Sequence, residues 1–154
     1  MNSTLGTVLR LFLAVGLGLG LIRLGSETQL QGAHWYLIAL LTLVASFQMA
    51  VAFGFPLGEF TQGGQQIGRL DAKARKNAIA ALPLIFLFAL TTLDLGGVIQ
   101  LQALVGQVFV YLFMAYLALG LLLNSISRSI KESVVWTPVL LLNIYLMAIL
   151  YFAN

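Results

Sequence analysis

Few side chains in this 154-residue chain can do chemistry, and most of them fall in two short stretches. The first runs Gly54-Phe-Pro56-Leu-Gly58-Glu59-Phe-Thr-Gln-Gly63-Gly64-Gln-Gln-Ile-Gly68-Arg69-Leu-Asp71. The second runs Asn124-Ser-Ile-Ser127-Arg128-Ser129-Ile-Lys131-Glu132 and continues to Trp136, Thr137 and Pro138. Glu59, Asp71 and Glu132 could supply acid–base chemistry, with Arg69 or Arg128 holding a phosphate. Gly63 and Gly64 could offer backbone N–H groups to an anion or a lipid headgroup beside the same arginines. The plainer reading is a salt-bridged cap, with Glu59 on Arg128 and Asp71 or Glu132 on Arg69. Ser129 and Glu132 also have the S-x-x-E spacing of a capping box, which satisfies the early N–H groups of a following helix. No Gly-Lys-Ser/Thr ending follows the glycines, so a nucleotide-binding loop is not supported. The chain has no cysteine and one histidine, which excludes thiolate catalysis, Fe–S clusters, cysteine-bound zinc and a poly-His metal site. No metal and no cofactor is expected.

The elements that must position these residues are read from composition. Apolar residues make up 60% of the chain and charged residues 8%. An ordinary soluble domain carries roughly 45–50% and about 25%. Mean hydropathy is +0.99. A water-soluble globule of this size needs more polar surface than that, so a soluble enzyme, a nucleic-acid module and a disordered chain are excluded. A spanning helix needs about 20 mostly apolar residues. Five segments qualify, at about 7–24, 35–54, 77–93, 98–123 and 134–153. The expected fold is all-α: one integral membrane domain over 1–154, a bundle of five transmembrane helices. The runs are continuous, so a β-barrel is disfavoured. The first span is the weakest, because Arg10 must snorkel and Arg23 bounds its far end. A signal peptide is the competing reading, but LGSETQ lacks a small-x-small cleavage pattern. Gly16 and Gly20 place a G-x-x-x-G spacing on that span.

Charge orients the bundle. With five spans, Arg10, Arg69, Lys73, Arg75, Lys76, Arg128 and Lys131 share one side, and Arg23 is alone on the other. Cytoplasmic segments carry the Lys and Arg excess, so the N-terminus is expected inside and the C-terminus outside. Both polar stretches then face the cytoplasm. Asp71 is expected to cap a helix beginning AKARKN, and Pro83 to kink it. The short DLGG loop predicts that the third and fourth spans are antiparallel neighbours.

Deep within the spans the amide side chains that stand out are Gln48, Gln107 and Asn143. Amides in hydrocarbon are expected to bond across helices, or else to line a narrow polar path. Trp136 is expected near an interface, as is His34, the latter as an amphipathic surface residue. Tyr111, Tyr116, Tyr145 and Tyr151 read as packing and interface anchors.

The pattern G-x-P-x-G-E, then G-G-x-x-x-G, then N-x-x-S-R-S-x-x-E before W-T-P resembles a group of small, uncharacterised bacterial integral membrane proteins. The matching residues are Gly54, Pro56, Gly58, Glu59, Gly63, Gly64 and Gly68, then Asn124, Ser127, Arg128, Ser129, Glu132, Trp136, Thr137 and Pro138. Many similar proteins carry tryptophan after the first proline, where this chain has Leu57. The resemblance covers roughly residues 35–154 and makes the first span an addition to a four-span core. It implies the bacterial cytoplasmic membrane and no particular activity.

Three functions stay open on the sequence. The first is a non-enzymatic membrane protein that binds a protein partner or lipid through its cytoplasmic face. The second is a small transporter or channel built from several copies. The third is a lipid-headgroup enzyme at the inner face. Membrane lipids, a membrane-protein partner or a second copy are the expected partners, and nucleic acid is not.

Overall fold

A backbone in hydrocarbon has to satisfy its own N–H and C=O groups, so apolar runs of this length fold as helices. The structure, a computed structural model, describes residues 27–153. It contains α1 (Glu27–Phe53), α2 (Ala72–Leu95), α3 (Ala103–Ser125) and α4 (Ile130–Ala153). Two 3-10 turns, Gly58–Phe60 and Gln62–Gly64, lie in the connection from α1 to α2. No strand occurs among the described residues. All four helices are long and apolar enough to cross a membrane, with mean hydropathy of 2.0–2.1 over their apolar windows. This is the architecture of a multi-pass membrane protein. The expected span 7–24 lies outside the described residues, and Arg10, Arg23, Gly16 and Gly20 lie there with it; the described chain shows four spans, not five.

Local chemistry sets the helix ends. Asp71 caps α2 as expected, its Oδ1 accepting the Ala74 N–H at 2.7 Å. α1 closes at Gly54, where φ is +88°. There the Gly54 N–H reaches the Val51 carbonyl and the Phe55 N–H the Ala50 carbonyl, both at 3.0 Å. That is a Schellman closure, which a glycine in the left-handed region permits. Pro83 is accommodated inside a continuous α2 and Pro138 inside α4. α4 starts at Ile130, four residues before the expected 134, because Ser129 caps it there. α3 starts at Ala103, not 98, since Gly97 at φ +69° and the residues after it extend the turn.

Packing then fixes the bundle. α1 lies mainly along α2, α3 mainly along α4, and α1 also against α4. α2 and α3, joined by the short turn, touch as expected but less extensively. Phe88 and Phe113 stack at the centre with ring centroids 4.0 Å apart, among Leu37, Leu117 and Met147. Lipid tails are as apolar as these side chains, so close packing contributes more here than burial from water. Leu43, Phe86, Leu112, Leu119 and Leu122 point outward. In water such a surface would be a liability; in a bilayer it is the lipid contact.

Candidate functional site

The two polar stretches meet at one end of the bundle, because α1 ends where α2 begins and α3 ends where α4 begins. Ser129 stands just before α4, and its Oγ accepts the Glu132 N–H at 3.2 Å. That is half of the expected capping box. In the other half the glutamate would reach back to the Ser129 N–H. Instead that N–H goes to Ser127 Oγ at 3.2 Å. The Glu132 carboxylate is turned into the protein, where its Oε2 accepts the Gly63 N–H at 2.8 Å and the Ser127 hydroxyl at 2.6 Å. Only 9% of Glu132 is exposed. A buried carboxylate needs donors, and a donor from the distant loop outcompetes the local one.

The glycines make that approach feasible. Gly63 and Gly64 stand at φ +74° and +63°, where an L side chain is strained. A Cβ on Gly64 would lie 2.5 Å from Ser129 Cβ. Ser129 Oγ–H donates to the Glu59 carbonyl, and Trp136 Nε1–H donates to the Phe60 carbonyl at 2.6 Å. Gln62 Nε2–H reaches the Ala74 carbonyl at 2.9 Å, tying the loop to α2. Gln66 and Asp71 exchange two bonds of 2.8 Å. The Ala74 N–H, and then the Gln66 amide, hold the Asp71 carboxyl below its ordinary range.

The ion pairs differ from those expected. Glu59 pairs with Lys131, Oε2 to Nζ 2.6 Å, and not with Arg128. Lys131 sits on the first turn of α4 and its ammonium also lies 5.8 Å from the Phe60 ring centroid. Arg128 is exposed and has no ion pair among the described residues. Arg69 pairs with neither Asp71 nor Glu132 there. Its guanidinium instead crosses Gly54, where a Cβ would lie 2.4 Å from Nε. That puts a cation at the carbonyl end of α1, the end a helix dipole favours. The anion reading of the glycines fails, because Gly63 N–H is held by Glu132 and Gly64 N–H by the Thr61 carbonyl at 2.9 Å.

Beneath this cap lies a cavity of about 150 Å³. Thr61 and Glu132 line its upper part, Gln48, Asn124, Tyr116 and Trp136 its walls, and Asn143 its depth. Glu132 and Asn143 are about 16 Å apart along α4, at about 1.5 Å rise per residue. Asn143 is 2% exposed. It does not bond across helices as expected: Nδ2–H donates to the Val139 carbonyl of its own helix at 2.7 Å, and Oδ1 has no partner. Asn124 repeats the arrangement, with Nδ2–H on the Gly120 carbonyl at 2.8 Å and Oδ1 unpartnered. Gln107 is exposed on α3 and is not part of the cavity wall, so the three amides form no single stripe.

His34 also differs from the expectation. It is 7% exposed, not a surface residue, because Gly96 has no Cβ and the imidazole fills that space. No group of three potential metal ligands occurs among the described residues. Sequence reasoning missed Lys131 as the partner of Glu59, and Thr61 and Gln62 as part of the cap. A charge pattern does not say which of two neighbouring cations faces the loop, and no periodicity marks residues in a coil. Comparison with protein-family models, curated proteins and solved structures gives no match.

Proposed function

We propose that this chain is a non-enzymatic integral membrane protein of the bacterial cytoplasmic membrane that binds a small ligand or lipid headgroup in the cavity beneath its cytoplasmic cap. The observation that carries this reading is the cavity itself. It is lined by the buried Glu132 and by Asn143, whose Oδ1 has no partner. Buried polar groups without partners are costly and rare, and a bound ligand is one way of satisfying them. The cap spends the Gly63, Ser127, Ser129 and Trp136 donors internally, which favours a ligand in the cavity over a protein partner held through those groups. The three carboxylates that headgroup chemistry would use hold different partners, Lys131 for Glu59, Gly63 for Glu132 and Gln66 with Ala74 for Asp71, which argues against their acting together.

The topology that goes with this reading has five spans, the N-terminus inside and the C-terminus outside. Arg69, Lys73, Arg75, Lys76, Arg128 and Lys131 all lie at the cap end of the described bundle, which supports placing that end in the cytoplasm. The bacterial membrane rests on the motif resemblance. The first test is native mass spectrometry of the full chain released gently from its own membrane. A small molecule or one lipid class retained at fixed stoichiometry, and lost in Asn143→Leu, supports the proposal. A protein that arrives bare, or carries only a second protein, overturns it and moves liposome flux assays on the oligomer to the front.

A further inference from the structure

Among the described residues, the cavity lining carries one charged side chain, the Glu132 carboxylate, and no cation. Asn143 and Asn124 each give one Nδ2–H to a carbonyl of their own helix and leave Oδ1 without a partner. Both described bonds of Glu132 fall on Oε2, and Oε1 carries neither. The indole N–H of Trp136 is spent on Phe60, so what it offers the cavity is a ring face. Gln48, Thr61 and Tyr116 add amide and hydroxyl groups that can accept or donate, so the carboxylate is the group that sets the charge of the guest. Neither Lys131 nor Arg128 lines the space, and Lys131 is already engaged by Glu59 outside it. Asn124 stands in the last turn of α3, a helix end that favours a cation. Aromatic walls suit the same guest, since a cation is attracted to ring faces.

Resting on the ligand-binding reading above, we propose that the cavity binds a primary alkylammonium group. Its N–H donors meet Glu132 and the Asn124 oxygen, or reach the Asn143 oxygen deeper in. Its carbon chain lies against Phe47, Phe88 and Trp136. An anion is disfavoured by Glu132, and a purely apolar guest leaves the amide oxygens unsatisfied. Two sources offer this group: the headgroup of an amine-bearing phospholipid and a free alkylamine.

The test uses the full chain with Trp35→Phe, so that Trp136 is the single tryptophan and reports from the cavity wall. In nanodiscs of phosphatidylglycerol alone, n-butylammonium is titrated against n-butanol as its neutral counterpart and butyrate as its anionic one. The proposal expects saturable binding of the ammonium at least about tenfold tighter than of the alcohol, the effect of one charge-assisted hydrogen bond. It expects Glu132→Gln and Asn143→Leu each to weaken that binding by a similar factor, and Gln107→Leu, outside the cavity, to leave it unchanged. Adding phosphatidylethanolamine to the discs identifies the source. Competition with butylammonium assigns the lipid headgroup, and no competition assigns the free amine; either supports the proposal. Equal binding of alcohol and ammonium, tighter binding of butyrate, or full binding by Glu132→Gln overturns it. Should native mass spectrometry show a retained ligand without an amine, this inference falls while the ligand-binding reading stands. A bare protein that also ignores all three probes removes both.

Discussion

The two ends of the bundle join their helices by opposite means. At the α2–α3 turn the side-chain bond is local: Asp94 Oδ1 accepts the Leu101 N–H at 2.8 Å, seven residues away. His34 comes in over Gly96, and Asp94 against Gly106, by shape alone. At the cap end the bonds from Gly63 to Glu132, Ser129 to Glu59 and Trp136 to Phe60 cross 69, 70 and 76 residues of chain. A short turn needs only its own residues to form. The cap forms only when α4 stands in one register against the loop, and its bonds then hold both. The turn that merely connects α2 to α3 is built locally, with one hydroxyl contact of 3.0 Å from Tyr111 to Tyr151 between α3 and α4 toward that end, and the end that carries the cavity is built from distant parts. Such a scaffold holds a binding site still.

The largest expected contrast is between two glycines. A Cβ on Gly58 would lie 2.2 Å from the Gln66 carbonyl oxygen, inside a loop closed by the Gly58 N–H on the Gly68 carbonyl at 2.8 Å. Gly58→Ala is expected to lower stability by about 3 kcal/mol or more, at the severe end for one substitution. Gly97→Ala meets open space at φ +69° and should cost only the left-handed penalty of about 1–2 kcal/mol. Thermal unfolding in a mild detergent measures both, and equal losses would erase the contrast between the ends.

Carboxylates come next. Glu132→Ala leaves the Gly63 N–H and the Ser127 hydroxyl without their acceptor and is expected to cost about 2–3 kcal/mol. Asp94→Ala releases one N–H beside a turn and should cost about 1 kcal/mol. A larger loss at Asp94 in the same assay would reverse the assignment of the two ends. Trp136→Phe keeps most of the ring and drops the bond to Phe60. It is expected to cost about 1 kcal/mol and to raise amide exchange in residues 58–64 with no change at 96–102.

Lys131→Met tests the outermost layer of the cap. Its ion pair is exposed, 55% on the lysine and 36% on the glutamate, so solvent screens it. The loss should be about 0.5 kcal/mol or less and should shrink further in high salt. The smallest effect is a pH dependence. Asp71 has a depressed folded-state pKa, so its cap contributes fully above the ordinary carboxylate range, and that contribution is lost as pH falls through the folded value. Asp71→Asn should flatten this acid dependence, read as helicity at the start of α2. A slope unchanged by the substitution would place the titration elsewhere.

Much of the framework was legible in the residues. Apolar runs longer than a bilayer is thick can only be helices there, so the four described spans follow from composition. Asp71 before AKARKN marks a helix start, because a short carboxylate can accept an N–H from the next turn. Ser129 marks another for the same reason. Two stretches on either side of paired spans had to share one end of the bundle. What the residues left open was which side chain meets which. Glu132 could satisfy its own helix or the loop, and Glu59 could take Arg128 or Lys131. Spacing along the chain does not separate those choices. They turn on how closely α4 approaches the loop, and that distance is set by Gly64 against Ser129 and by the packing of α1 and α3 on α4. The unpartnered oxygens of Asn124 and Asn143, and the cavity they line, are likewise products of packing: composition determines that amides lie in the spans, and only the tertiary structure decides that each turns one donor to its own helix and leaves its acceptor without a partner.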